Sequence, residues 1–370
     1  MTGNPNTFDY LVIVANSGRM LAEAARRAGL RPLVIDLFAD LDTQCHAEAF
    51  RKIPSLDAPH LALAVAYFVR HYAVAHAVYG SGLEGYPESL RYLDSRLRIL
   101  GNPPETFIRL HDKPAFFSTL DMLNIPHPEV CFTAPNRDDQ WLVKPMQGQG
   151  GAGIKRYRPN DFVESGVYWQ KYQPGTQHSV LFLADGQQAQ VIGFNTQWTI
   201  RLGENREFIF SGIMSRCELS GEQKQRVTAW LGKLVPEFAL KGLNSLDFIH
   251  AGDNSAALEI NPRPPAGMQL YDADLLNRHI RASRGELSAD CRFQTGCTGY
   301  QIVYAERDVI IPNGFEWPEG CVDLPGFGVM CRAGQPICSI IAHQNGARPV
   351  MNALLMKQLN LTKRFTLHGI

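Results

Sequence analysis

The chain has 370 residues, 45% of them hydrophobic, and its 36 basic and 36 acidic side chains cancel at neutral pH. That length calls for two or three domains, and the cancelled charge excludes a general pull toward nucleic acid or an anionic membrane. MTGNPNTFDY lacks the basic start of a secretion signal, no run approaches membrane-spanning length, and the eight cysteines (45, 131, 217, 291, 297, 321, 331, 338) contain no CxxC pair. A soluble cytoplasmic protein without zinc ribbon or disulfide framework is therefore expected.

YLVIVA, from Tyr10, reads as a buried parallel strand. Asn16-Ser17-Gly18-Arg19 turns into the helix MLAEAARRAG, ended by Gly29, and RPLVIDLFAD is the next strand. This β-α-β opening predicts a Rossmann-like, doubly wound domain over residues 1–102. Its turn holds one glycine rather than GxGxxG, which argues against dinucleotide binding. The helix LALAVAYFVRHYA and the strand AVAHAVYG follow, running into Gly80-Ser81-Gly82-Leu83-Glu84. Those glycines either let backbone approach a ligand or make an ordinary tight turn. Glu84 reads equally as an amine acceptor or as a carboxylate at a helix start.

LGNPPE punctuates the chain, and a second domain is expected over 103–290. ETFIRLHDKPAFFSTLDMLNI, with Lys113, reads as one helical stretch up to Pro126. Pro126-His127-Pro128 is an extended linker into a smaller unit, about 127–185. In the strand QWLVKP, alternation puts Leu142 and Lys144 on one face, awkward for an ammonium unless it meets an anion. Gln147-Gly148-Gln149-Gly150-Gly151-Ala152-Gly153 follows at once. Such glycines free backbone N–H groups to point at a phosphate, and equally make a flexible hairpin tip. There is no GxxxxGK[ST], so a Walker loop is not supported. VYWQKY is a strand that breaks at Gln173-Pro174-Gly175 and resumes at His178. The break is either a hinge that pairs with a base edge or a plain strand connection. QAQVIGFNTQWTIR and REFIFSGIMSR extend an antiparallel sheet, and GEQKQRVTAWLGKLVPEFAL is an amphipathic helix.

GLNSLDFIHAGDNSAALEINPRPPAGM holds the strongest signal. Its strands SLDFIHA and SAALEIN are joined by Gly252-Asp253-Asn254, and folding about Asp253 sets Asp247 opposite Glu259. Asn261 shares their face, while Leu246, Phe248, Leu258 and Ile260 turn to the core. Two carboxylates and an amide oxygen make a hard-oxygen site suited to Mg²⁺, and without a cation the facing carboxylates repel. Solvated strand charges are the plainer alternative. Arg263 sits among Pro262, Pro264 and Pro265, which stiffen its backbone. YDADLLNRHIRASRG is a further helix. After it, GYQIVYAE, DVIIP, FGVMC and ICSIIAHQ form a small β-rich appendage over 291–370, ending in a helix around MNALLMKQL.

Together these residues resemble the ATP-grasp superfamily over about residues 1–290. The resemblance implies a Rossmann-like (pre-ATP-grasp) domain followed by an ATP-grasp fold, α/β and α+β in class, with ATP and Mg²⁺ (or Mn²⁺) as cofactors. It makes Lys113 and Lys144 the phosphate lysines and Gln147, Gly148, Gly150, Gly151 and Gly153 the lid. It makes Gln170, Lys171, Tyr172 and Gln173 the adenine hinge, read through the main chain of 171–173, with Gln170 accepting through its amide oxygen where Glu is common. His178 falls near the ribose and Leu258 against the nucleotide. Asp247, Glu259 and Asn261 become the metal ligands, and Arg263, with Lys144, the catalytic group.

The resemblance further implies an ADP-forming carboxylate–amine ligase working through an acyl phosphate on small, amino-acid-like substrates, with a homodimer allowed. EINPRP and the GSGLE passage look closest to tyramine–glutamate ligases of methanofuran synthesis and to one-carbon cofactor (tetrahydromethanopterin-type) pathways. The rivals are a biotin-carboxylase-like or phosphotransfer enzyme on the same core, and a non-catalytic nucleotide-binding protein.

Overall fold

The N-terminal run of alternating apolar strands and amphipathic helices has only one way to hide both faces of its sheet, which is to cover each with helices. In the computed structural model, which describes residues 8–136, 140–159, 165–204, 206–271, 274–288 and 295–367, it does so. Strands β1 (Tyr10–Val14), β2 (Arg31–Asp36), β3 (Ala49–Lys52), β4 (His76–Tyr79) and β5 (Arg98–Ile99) lie parallel in the order β3-β2-β1-β4-β5. Helices α1 (Arg19–Arg27), α2 (Leu41–His46), α3 (Ala58–His71) and α4 (Pro87–Arg96) connect them.

The next stretch departs from expectation. The single helix expected around Lys113 is two, α5 (Pro104–His111) and α6 (Lys113–Met122). Asp112 breaks it: its carboxylate caps α6 by accepting from Ala115 N, and Pro114 suits the first turn but not a helix interior. The break places Lys113 at the mouth of α6 rather than along a helix flank.

A four-stranded sheet follows, made of β6 (Val130–Cys131), β7 (Trp141–Pro145), β8 (Lys155–Arg156) and β9 (Val167–Lys171). A larger antiparallel sheet begins with β10 (Thr176–Asp185), β11 (Ala189–Ile200) and β12 (Ile209–Met214). Helix α7 (Gly221–Phe238), started by a Ser220–Gln223 capping box, returns the chain to β13 (Lys241–Ala251) and β14 (Asn254–Asn261). The two faces of β10 serve different cores. Val180 and Phe182 pack with Leu234 and Phe238 of α7, while Leu181 and Leu183 pack with Leu21 of α1 and with Ile280 of α8 (Leu275–Ser283). That second core is what seats the N-terminal domain on the large sheet.

The boundary expected at 290–291 lies outside the described residues. The segment beyond it is not set apart from the sheet. β15 (Cys297–Tyr304) pairs with β12, and after the short β16 (Val309–Ile310), β17 (Cys321–Val322) and β18 (Met330–Cys331), β19 (Pro336–Gln344) pairs with β15. The result is one eight-stranded sheet, β14-β13-β10-β11-β12-β15-β19-β17, backed at its far end by α9 (Ala347–Leu367). Strand sequences show that an edge exists but not which strand fills it. Among the described residues no helix is long and apolar enough to cross a membrane.

Candidate active site

A cavity of about 440 Å³ opens where the N-terminal domain, the four-stranded sheet and the β13–β14 hairpin meet. The hairpin turns tightly on Gly252-Asp253, since Ala251 pairs with Asn254. Continued without interruption, that register would set Asp247 opposite Leu258. A bulge intervenes: Phe248 pairs with Ala257, Asp247 with Glu259, and Leu258 is the extra residue. Leu258, placed in the core by alternation and against the nucleotide by the resemblance, is thus turned out into the cavity wall. The bulge re-aims Glu259 so that it shares a face with Asp247 and Asn261.

Around that face the partners are specific. Asn261 Nδ2 donates to Asp247 Oδ2 (3.1 Å), and Gln197 Nε2 donates to Asp247 Oδ1 (3.3 Å). Lys113 Nζ lies 3.7 Å from Glu259 Oε2. The two carboxylates are electrically unequal. Burial and then the charge of Glu259 push Asp247 upward from the ordinary carboxylate range. Burial also pushes Glu259 up, but Lys113, Lys144, His111 and Arg263 together hold it below its usual value. Within the pair, protonation is thus favoured at Asp247 rather than at Glu259. Among the described residues no group of three His, Cys, Asp or Glu side chains is placed to hold a metal. The donor set on offer is the carboxylate pair with the Asn261 amide, and hard oxygen donors around surplus negative charge suit Mg²⁺ or Mn²⁺ bound jointly with phosphate oxygens.

Leu142 and Lys144 both line the cavity, as their alternation predicts, with Val143 in a separate cluster beneath. Burial lowers the Lys144 pKa, against the opposing pull of Glu259 and Asp247. Its Nζ donates to Gln170 Oε1 (3.0 Å). Lysine is donor-only, so this bond fixes the amide orientation, and Gln170 Nε2 is left buried with no hydrogen-bond partner. The oxygen expected to accept from a base is therefore engaged, and the group left over is a donor. Within the expected hinge, Lys171 N donates to Glu129 O and Tyr172 N to Gln140 O, so these two N–H groups are engaged in the protein's own backbone.

Of the lid residues, Gly148, Gln149, Gly150 and Gly151 line the cavity, whereas Gln147 and Gly153 do not. The loop is docked inward. Phe210 N donates to Gly150 O (2.9 Å), and a Cβ on Gly151 (φ +77°) would collide with the Phe208 carbonyl. His178 is buried, stacked on Phe248 at 5.6 Å, with Nδ1 near Asn195 O (3.2 Å); burial lowers its pKa.

Arg263 is 9% exposed. Its Nε donates to Glu84 Oε1 (2.8 Å) and its Nη2 to Asn261 Oδ1 (3.1 Å). Burial raises the Glu84 pKa, but Arg263 outweighs it and keeps the carboxylate ionised. Glu84, read equally as an amine acceptor or as a carboxylate at a helix start, is the arginine's partner, and as a helix-start carboxylate its Oε2 accepts from Gly82 N (2.6 Å) in a single 3-10 turn. The sequence reading missed Asn102, which is 1% exposed. Its Nδ2 donates to Pro262 O and Asn244 Oδ1, and its Oδ1 accepts from Lys241 N. Tyr79 OH also donates to Pro262 O (3.1 Å). These bonds clamp the proline segment that carries Arg263. Asn-Pro reads as turn punctuation along a chain, and nothing local marks it as a clamp.

Residues 110–267 match the family model described as the ATP-grasp domain. The chain carries an ATP-grasp domain. It is 21% identical over 363 residues to the uncharacterized protein y4rH of Sinorhizobium fredii, covering 88% of this chain and 75% of that one. In structure it is similar to an L-amino acid ligase from Bacillus licheniformis, with TM-score 0.71 at 13% identity, covering 95% of this chain and 97% of that one. It is similar also to the biotin carboxylase domain of Hydrogenobacter thermophilus 2-oxoglutarate carboxylase in complex with MgADP and bicarbonate. There the TM-score is 0.69 at 17% identity, covering 90% and 86%. At these identities the likeness shows a shared ATP-grasp architecture.

Proposed function

We propose that the protein is an ATP-dependent carboxylate–amine ligase that forms an amide and releases ADP and phosphate. The reading rests on one observation: two lysines, an unbalanced carboxylate pair with an amide, a glycine lid and a pinned arginine all line a single cavity. A divalent cation held by Asp247, Glu259 and Asn261 would supply charge neutralisation for the β- and γ-phosphates. Lys113 and Lys144 add fixed positive charge beside them, and the lid excludes water from an activated acyl group. The substrate carboxylate oxygen attacks the γ-phosphorus and ADP departs. The amine then attacks the acyl carbon, loses its proton, and phosphate leaves with the electron pair of the broken C–O bond. Arg263, held in place by Glu84 and Asn261, orients the carboxylate and stabilises the oxyanion of that second step. The hinge at Gln173 would meet the base, and His178 the ribose.

Similarity to an amino-acid ligase supports small amino-acid-like substrates, and the EINPRP passage supports glutamate and aromatic amines as the first pair to try. The deciding experiment measures ADP release from Mg–ATP with acids and amines supplied singly and in pairs. Release that needs both substrates supports the ligase. Release with bicarbonate alone, or with neither, overturns it.

A further inference from the structure

The proton that an amine sheds on attack needs a base, and the carboxylates of the cavity are already committed. Glu84 accepts from Arg263 and from Gly82 N. Asp247 accepts from Asn261 and Gln197, and Glu259 lies against Lys113. Asp323, also on the wall, accepts from Arg19 and Tyr300. His178 is buried against Phe248. His111 has a nitrogen to spare. It closes α5 just before the Asp112 cap and lines the cavity with Lys113.

One bond fixes its tautomer. Nδ1 lies 2.8 Å from the Phe107 carbonyl, and a carbonyl only accepts, so Nδ1 carries the hydrogen. In the neutral ring Nε2 is then the accepting nitrogen. Nε2 has no hydrogen-bond partner among the described residues and is not closed to solvent. The ring stacks on buried Phe107 at 4.2 Å, which fixes the direction of that lone pair. Burial favours the uncharged ring, the Phe107 bond opposes it, Lys113 adds to burial, and Glu84 and Glu259 oppose; the net shift of the pKa is downward.

The same charges locate the ring. Lys113 and Glu259 mark the proposed phosphate end, and Glu84 is the partner of Arg263. His111 thus stands between the groups that would hold the phosphoryl and the one that would hold the acyl carbon. Among the described residues no hydrogen bond or ion pair joins it to Glu259, so its lone pair is not spent on the carboxylate pair.

We infer that His111 is a catalytic residue whose Nε2 takes the proton the amine loses on attack. This rests on the ligase reading and supplies the proton acceptor that reading leaves open. As the C–N bond forms, the carbonyl π pair moves to oxygen and the nitrogen becomes cationic. One N–H proton passes to Nε2, giving an imidazolium. The oxyanion re-forms the carbonyl, the C–O bond breaks toward phosphate, and the imidazolium returns its proton to water.

The test compares wild type with His111→Asn, whose amide N–H takes the place of Nδ1–H but which offers no basic nitrogen. Both receive Mg–ATP and glutamate, with either phenethylamine or hydroxylamine as nucleophile. Hydroxylamine is unprotonated at neutral pH and its adduct loses a proton readily to water, so hydroxamate formation reports the acyl-phosphate step without the base. Amide formation should fall about 10²- to 10⁴-fold in the variant, the range of a lost general base, while hydroxamate formation stays within about 3-fold. Unchanged amide formation, or equal losses with both nucleophiles, overturns the inference and keeps the ligase. A wild type that makes neither product refutes the ligase reading, and the base falls with it.

Diethyl pyrocarbonate, which acylates unprotonated imidazole nitrogen, gives a readout free of turnover. Peptide mapping of wild type should find His111 carbethoxylated, and filling the cavity with a non-hydrolysable Mg–ATP analogue, glutamate and phenethylamine should protect it. No modification at His111 in the free protein, or none of that protection, overturns the inference. If the Asn variant does not fold, this measurement decides by itself.

Discussion

The β13–β14 hairpin and the Arg263–Glu84 joint share one cavity but are built on opposite terms. Asp247 and Asn261 meet across fourteen residues of chain, whereas Arg263 and Glu84 meet across 179. The hairpin sets two buried carboxylates on one face, and their proximity pushes the Asp247 pKa up. The joint is a neutral buried pair whose every charge has a partner. On the proposed reading, one region would receive a cation and the other would hold the substrate carboxylate still, since a transferable phosphoryl group is useful only beside a carboxylate that does not drift.

That contrast is open to attack by substitution. The largest effect expected is on the joint. Arg263→Met leaves Glu84 buried and unpaired, which should cost about 3–5 kcal/mol of stability. Chemical denaturation of that variant, with and without a second Glu84→Gln change, should show the loss and its partial recovery; a harmless single substitution would contradict the strut. On the hairpin, Glu259→Gln should lower kcat/KM by at least about 100-fold, the scale of a damaged metal environment. Because its shape is kept, the melting temperature should hold, and normal turnover by the Gln variant would remove the metal assignment. Lys144→Ala should act on nucleotide binding, weakening it by several-fold to ~100-fold, the loss expected when a charge-assisted hydrogen bond disappears. A titration with a fluorescent ATP analogue measures it, and unchanged affinity would place the phosphates elsewhere.

A separate effect, read as a slope against pH, concerns Asp40. Its folded pKa, pushed up to about 8, lies above its ordinary value of 3.8. The folded chain therefore holds a proton that the unfolded chain has lost, and stability falls as pH rises between those two values. The slope from this group is at most about 1.4 kcal/mol per pH unit. Asp40→Asn should flatten a plot of unfolding free energy against pH over that window, and an unaltered slope would show that the carboxyl is not held neutral.

The legible parts of the molecule share a property. Strand alternation put Lys144 and Leu142 on the cavity face, and hairpin pairing put Asp247 opposite Glu259, because both depend only on neighbours along the chain or across one turn. Even there the agreement had a hidden cause. Folding about Asp253 was half a residue off, and the bulge at Leu258 supplied the difference. The glycine loop after Lys144 was legible as a loop, but its docking under Phe208 was not. Gln170 was legible as a hinge residue, but the claim of Lys144 on its oxygen was not.

By itself the sequence determined the β-α-β opening, the glycine lid, the facing carboxylates with Asn261, and the proline-held Arg263. Each follows from periodicity, turn chemistry or spacing, which are short-range properties of a polymer. Only the tertiary structure decided that Asn102 clamps Pro262, that Glu84 neutralises Arg263, and that β15 and β19 extend the large sheet with Asp323 brought to Arg19. Such contacts are selected by burial and charge compensation between segments that meet only after collapse, and no local pattern encodes which partner will be there.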